Sequence, residues 1–157
     1  MPFEYLESIP GADEAFRAWG TDLGQTFSAA WQAVHGVLVD AEAEDARTAD
    51  QRRAPPPRTA ATPRQRVVSL SASELDLLLV DFLQEQLYLK DSEQVLYQVR
   101  RVHVRRDGTG WSVDAELVGA PMDTAGTPGV DVKAITLDNL RVHQTARGWE
   151  ATVVLDL

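Results

Sequence analysis

From residue 95 onward the sequence reads as a series of β-strands, and this run limits the fold more than any other feature. Apolar residues alternate at Val95, Tyr97 and Val99, which is the period of a half-buried strand. The dipeptide Asp107-Gly108 that follows is typical of a hairpin turn. Further strands are predicted over 111–118, 132–136, 140–145 and 149–157, with a loop over 119–129. Strands joined by short turns indicate antiparallel pairing.

Two segments show the spacing of amphipathic helices, with apolar residues three and four positions apart. The first begins after Thr21 or Asp22, either of which can cap a helix N-terminus, and its apolar face is Leu23, Phe27, Ala30, Trp31, Val34 and Leu38. The second begins at Ser73 in a serine-x-x-acid capping pattern, and its apolar face is Leu75, Leu78, Leu79, Phe82, Leu83, Leu87 and Tyr88. With short strands predicted at 3–6, 14–19 and 67–70, the fold class is α+β: two amphipathic helices packed on a mainly antiparallel β-sheet.

Residues 41–66 differ in composition from the rest of the chain. They contain six arginines, four acidic residues and four of the eight prolines, but no aromatic or large aliphatic side chain. Such a segment cannot bury enough apolar area to offset the entropy lost on ordering. We expect a disordered insertion at 41–66 within a single domain spanning residues 1–157, although a basic tether for RNA is an alternative interpretation.

Composition excludes several classes of protein. With no cysteine among its 157 residues, the chain has neither disulfides nor thiolate metal sites. Its 24 acidic and 15 basic residues give a net charge of −9, which argues against a surface that binds the phosphate backbone of a nucleic acid. No signal peptide is apparent, and no apolar segment is long enough to span a membrane. We therefore expect a soluble, cytoplasmic domain with no membrane partner.

The usual signatures of catalysis are also missing. The sequence has no glycine-rich phosphate loop, no G-x-S-x-G elbow and no pair of histidines at metal-binding spacing. His35, His103 and His143 are isolated from one another, and a lone histidine seldom acts without a partner. The chain is therefore a poor candidate for an enzyme.

Two features near the C-terminus could carry chemistry. The side chain of Asp156 and the terminal carboxylate of Leu157 would place two carboxylate groups one residue apart. Like charges at such close range repel each other unless a hard cation lies between them. Lys133, one of only two lysines, follows a Gly/Pro-rich loop and could meet a phosphate or a carboxylate. The alternatives are a solvated aspartate at a sheet edge and a lysine whose stem covers apolar surface.

Taken together, several segments resemble the archease family. They are the N-terminal block from Phe3 to Phe27, with its F-E-Y-L-E and A-W-G-T-D-L runs, the second helix over Ser73 to Leu89, the strand V-K-A-I-T over 132–136, and the acidic end V-L-D-L over 154–157. The similarity covers nearly all of the chain outside residues 41–66. The V-K-A-I-T strand followed by the terminal aspartate is its most specific part.

This resemblance implies an accessory protein of the RtcB-type RNA ligase. That ligase uses GTP and manganese to join RNA ends bearing a 3′-phosphate or cyclic phosphate to a 5′-hydroxyl. Archeases promote guanylylation of a ligase histidine and so allow multiple turnover, in tRNA splicing and RNA repair. The implied partner is thus the ligase, and RNA is reached only through it.

The resemblance also implies which residues act. It places a divalent metal, with calcium favoured, on Asp13, Asp156 and the terminal carboxylate of Leu157, and it gives a partner-activating role to Lys133. One departure stands out: the family's usual motif before this aspartate contains a histidine, whereas residues 7–13 here read E-S-I-P-G-A-D. A divergent binding module or chaperone without ligase activation is therefore the alternative function. A metal-dependent hydrolase is a third possibility, resting on the carboxylates alone.

Overall fold

The computed structural model describes residues 2–6, 14–39, 64–121 and 132–157. Over these ranges the chain forms seven strands and two helices. The strands are β1 (Phe3–Leu6), β2 (Glu14–Gly20), β3 (Arg64–Ala72), β4 (Val95–Asp107), β5 (Gly110–Pro121), β6 (Ala134–Thr145) and β7 (Gly148–Asp156), and the helices are α1 (Leu23–Leu38) and α2 (Leu75–Glu93).

The strands form two antiparallel sheets. One has the order β1-β2-β7-β6 and the other β3-β5-β4. Helix α1 packs mainly between β2 of the first sheet and β4 of the second, while α2 contacts β6 and all three strands of the second sheet. The predicted α+β class, with two helices on antiparallel sheet, is confirmed.

The core of the described residues lies where the helices meet the sheets. The indole of Trp31 in α1 is fully buried, and its ring centroid lies 4.9 Å from that of Phe82 in α2. The indole Nε1–H donates a 2.8 Å hydrogen bond to the main-chain carbonyl of Tyr97 in β4. Because one side chain contacts both helices and is bonded to a strand, the register between α1 and β4 is closely defined.

The helix boundaries confirm one predicted cap and correct the other. The Asp22 carboxylate accepts a 2.8 Å hydrogen bond from the main-chain N–H of Gln25, as an N-cap should. In α2 the N-cap is Glu74, whose side chain makes no capping bond, so the predicted start at Ser73 was wrong. Of the helices in the described ranges, none is long and apolar enough to cross a membrane.

Two predicted strand boundaries change. Residues 132–136 and 140–145 were predicted as separate strands, but β6 runs from Ala134 through Thr145 with a register irregularity between Thr136 and Arg141. Strand β3 begins at Arg64, because the last residues of the predicted insertion pair with β5. Residues 40–63, which hold the rest of the predicted insertion, lie outside the described residues.

Candidate functional site

Lys133 and Asp156 lie side by side at one end of the β1-β2-β7-β6 sheet. The main-chain N–H of Lys133 donates a 2.8 Å hydrogen bond to the main-chain carbonyl of Asp156, and the next residue, Ala134, is the register partner of Asp156. Both side chains are exposed. Two of the residues predicted for the site are therefore brought together at the surface, although Lys133 precedes β6 instead of lying within a strand.

The sequence around each residue explains this placement. Val132 and Leu155, which precede Lys133 and Asp156, are buried in the core. Successive residues of an extended chain point to opposite sides, so the charged residue that follows each of them faces solvent. Leu157 is half-buried and its side chain packs against the core, which holds the end of the chain close to the sheet.

Strand β2 reaches the same end of the sheet. Its first residue, Glu14, is the register partner of Leu155. Asp13, the third predicted metal ligand, directly precedes Glu14 in the sequence but lies outside the described residues. The structure thus describes two of the three predicted ligands, Asp156 and Leu157, and leaves the complete set untested.

The donor set has the chemistry of a site for a hard cation. Aspartate side chains and a terminal carboxylate supply oxygen atoms, the ligands that calcium accepts in flexible geometry. Within the described ranges no group of three histidine, aspartate or glutamate side chains is arranged to hold a metal ion. The metal site on Asp13, Asp156 and Leu157 therefore stays a prediction.

A tyrosine packs between β1 and α1 close to the start of β2. The Tyr5 hydroxyl donates a 2.7 Å hydrogen bond to the main-chain carbonyl of Ala33. Burial, with a smaller contribution from the negative charge of Glu14, raises the pKa of Tyr5 to about 12. The phenol is therefore neutral at physiological pH and acts as a donor that fixes β1 on the helix.

The three histidines do not join this site. His143 Nε2 lies 3.3 Å from a carboxylate oxygen of Glu150, near the other end of β7. His35 Nε2 lies 3.2 Å from the amide nitrogen of Gln98, and His103 is exposed on β4. Neither of these two contacts joins one histidine to another.

A second concave surface was missed by sequence reasoning. It lies between the end of β2, residues 24–32 of α1, the middle of β4 and the β6–β7 turn, and its lining includes four arginines and two tryptophans. The one signal in the sequence was the Arg100-Arg101 pair, which interrupts the alternation of β4. Alternation alone gave no reason to expect both side chains on one surface.

Comparison with known proteins identifies the family. The model of the archease protein family (MTH1598/TM1083) matches residues 3–157. The chain is 30% identical to protein archease of Methanosarcina barkeri, over 99% of this chain and 95% of that protein. It is 32% identical to protein archease of Methanosarcina acetivorans, with the same coverage.

A solved structure supports the fold. The solution structure of Methanobacterium thermoautotrophicum protein 1598 superposes with a TM-score of 0.75, covers 99% of both chains and is 24% identical in sequence. At that identity the likeness concerns the fold alone, whereas the family model and the Methanosarcina proteins concern the sequence over its whole length. The chain belongs to the archease family.

Proposed function

We propose that this protein activates an RtcB-type GTP-dependent RNA ligase, promoting guanylylation of the ligase and its multiple turnover in tRNA splicing or RNA repair. The observation that carries the proposal is the juxtaposition of Lys133 and Asp156, joined through their main chains by a 2.8 Å hydrogen bond, in a chain of the archease family. On this proposal the protein is an accessory factor and not an enzyme. It works in the cytoplasm, with a protein partner and no membrane partner.

The acidic end would hold a divalent cation, with calcium favoured. The proposed ligands are Asp13, Asp156 and the terminal carboxylate of Leu157. Support comes from the exposed position of Asp156, from the anchoring of Leu157 on the core, and from the pairing of Glu14 with Leu155. Carboxylates gathered around one point repel one another unless a cation lies between them.

Lys133 would act beside that cation. Its ammonium is a compact positive charge on a flexible stem, suited to a phosphate or carboxylate presented by a partner. The main-chain bond to Asp156 fixes the position of the Lys133 backbone while leaving its side chain exposed. In this proposal Lys133 contacts the nucleotide or an acidic group at the guanylylation centre of the ligase, and RNA is reached only through the ligase.

The experiment is a guanylylation assay with the pure protein. An RtcB-type ligase, GTP and manganese are mixed with and without this protein, and the covalent guanylate on the ligase is followed over time. We expect faster guanylylation and more ligation cycles per ligase molecule. No acceleration at any metal concentration would overturn the proposal.

A second candidate function is a divergent binding module or chaperone that keeps the fold without activating a ligase. It is favoured by the sequence of residues 7–13, where the histidine of the family's usual motif is absent. The same assay separates the two candidates, provided that it is accompanied by a pull-down. Failure to associate with the ligase and failure to accelerate it would together favour the second candidate.

A further inference from the structure

A groove lies at the opposite end of β7 from Asp156. Its volume is about 1240 Å³, and Trp149 and Glu150 at the start of β7 contribute to its lining. At about 3.3 Å per residue, these positions are roughly 20 Å along the strand from Asp156. The groove is larger than the ~300–1,000 Å³ typical of small-molecule pockets, so it suits a segment of a polymer.

A bulge in β4 brings two adjacent arginines to this groove. Val99 is the register partner of Leu117 and Arg101 is the partner of Glu116, which leaves Arg100 without a position opposite it on β5. In a regular strand neighbouring side chains point to opposite faces, whereas a bulge can turn both toward one side. Arg100 and Arg101 are both exposed and both line the groove.

Close backbone packing positions the other walls. A Cβ atom on Gly24, near the start of α1, would lie 2.9 Å from the carbonyl oxygen of Val102, so the helix sits directly against β4. Gly148 has a φ of 143°, and a Cβ there would lie 2.2 Å from the carbonyl oxygen of Gly20. The β6–β7 turn, which carries Arg147, is therefore held against the end of β2.

The charge of the groove is available to a ligand. Arg17 is paired with Glu4 and Glu150, which accounts for two of the acidic groups in the lining. Within the described part of the chain, Arg100, Arg101 and Arg147 form no ion pair. Three guanidinium groups in one concave surface can therefore take up phosphates at little cost in broken contacts.

An exposed indole and polar side chains stand beside these arginines. Trp19 at the end of β2 is 37% exposed, and the guanidinium carbon of Arg17 lies 5.9 Å from its ring centroid. Gln25, Ser28 and Gln32 of α1 also line the groove. An aromatic face for stacking, cations for phosphates and polar groups for base edges are the components of a single-strand binding site.

We propose that this groove binds single-stranded nucleic acid, with phosphates on Arg100, Arg101 and Arg147 and a base stacked on Trp19. The net charge of −9 does not oppose this assignment, because the four arginines of the lining outnumber its three acidic residues, Glu4, Asp22 and Glu150, and most of the acidity lies elsewhere. Helix α2 alone carries five acidic residues against one lysine, namely Asp76, Asp81, Glu85, Asp91, Glu93 and Lys90. The net negative charge of the chain argues against a surface that is basic throughout. It does not argue against a local cluster of arginines.

The test uses the full chain without ligase. A fluorescent oligouridylate of about a dozen nucleotides is titrated with the protein at several salt concentrations, and its anisotropy and the tryptophan emission are followed. We expect saturable binding with quenched emission. The logarithm of affinity should fall with the logarithm of salt with a slope of about 2, that is ~0.7 for each of the three arginines.

Two double variants and one single variant make the test specific. The double variant Arg100→Ala/Arg101→Ala should bind the oligonucleotide more weakly, by about tenfold or more. The slope of its logarithmic affinity against logarithmic salt concentration should be smaller by about 1.4. The matched control is Arg105→Ala with Arg106→Ala, which removes the same charge from the same strand outside the groove and should leave affinity within about twofold. Trp19→Ala should weaken binding about fivefold or more through lost stacking.

Several outcomes would overturn the assignment. They are no binding of the oligonucleotide, equal binding of a blunt RNA duplex, tighter binding of a polyglutamate peptide, or equal losses from the two arginine pairs. A polyglutamate result would mark the groove as a site for an acidic protein segment. Because no ligase is present, failure here leaves the proposed ligase activation standing, and failure of ligase activation leaves this site standing.

Discussion

The main-chain N–H of Lys133 donates a 2.8 Å hydrogen bond to the main-chain carbonyl of Asp156. This bond joins the residue just before β6 to the last residue of β7, so the two exposed charged side chains share one end of a sheet. Neither residue can move far along the sheet without breaking the pairing of β6 with β7. The geometry of the proposed site therefore depends on the end of β7 staying in register.

Adding a short Gly/Ser extension after Leu157 should weaken calcium binding by about tenfold or more, since it replaces the terminal carboxylate with a neutral peptide group. Isothermal titration with calcium measures the effect. The control carries the same extension before Met1, and its affinity should match that of the unextended protein. Equal affinities of the two extended proteins would rule out the terminal carboxylate as a ligand.

Replacing Trp31 with alanine should lower the free energy of unfolding by about 3–5 kcal/mol. The indole is fully buried, contacts Phe82 and is bonded to Tyr97. Urea denaturation followed by circular dichroism measures the change. Trp19→Ala, at a position that is 37% exposed, serves as the comparison and should cost much less; similar losses at both positions would contradict the described core.

Replacing Asp22 with alanine should destabilise the protein by about 1 kcal/mol, because the carboxylate accepts the 2.8 Å bond from the main-chain N–H of Gln25. Glu74 occupies the same cap position in α2 but its side chain makes no capping bond. Glu74→Ala should therefore change the free energy of unfolding by less than about 0.5 kcal/mol. The described caps are wrong if the two variants lose stability equally in urea.

Tyr5 should make the stability of the protein fall at high pH. Its pKa is raised from 10.0 to about 12 in the folded state, first by burial and then by Glu14. The folded state thus holds the phenol proton more tightly, so this contribution is present below pH 10 and is lost as the pH rises to about 12. Replacing Tyr5 with phenylalanine should remove that dependence.

The measurement is a titration of phenolate absorbance with and without Tyr5→Phe. The difference between the two curves should have its midpoint near pH 12. Loss of the bond to the Ala33 carbonyl should also cost about 1 kcal/mol at neutral pH. Tyr88→Phe, at a position that is 61% exposed, is the stability control. A difference midpoint near pH 10 would contradict the raised pKa of Tyr5.

Much of the fold was predictable because local patterns determine it. The apolar residues from Leu23 to Leu38 define α1, and of the two predicted caps Asp22 is the one that acts. The predicted hairpin turn lies at Gly108-Thr109, directly after Asp107. The start of α2 was missed because a serine-x-x-acid pattern does not oblige the serine to cap. Strand β6 was predicted as two separate strands because its register is irregular between Thr136 and Arg141, where the alternation of apolar residues is interrupted.

The candidate site was predictable only in part. Asp156 and Lys133 stood out by charge, but their adjacency depends on the pairing of β6 with β7, which has no local signal. The arginine-lined groove joins β2, α1, β4 and the β6–β7 turn, which are distant in sequence. A net charge averaged over the chain hid this local excess of positive charge.

Ligase guanylylation with Lys133→Met is the sharpest test of the proposed role of Lys133 at the guanylylation centre. Methionine keeps an unbranched stem and the main-chain bond to Asp156 but removes the ammonium charge. The control is Arg141→Met, which removes an exposed positive charge from β6. We expect Lys133→Met to reduce the acceleration of guanylylation by about tenfold or more, whereas Arg141→Met should retain it. Equal acceleration by Lys133→Met and the unsubstituted protein would contradict a role for the Lys133 ammonium in ligase activation.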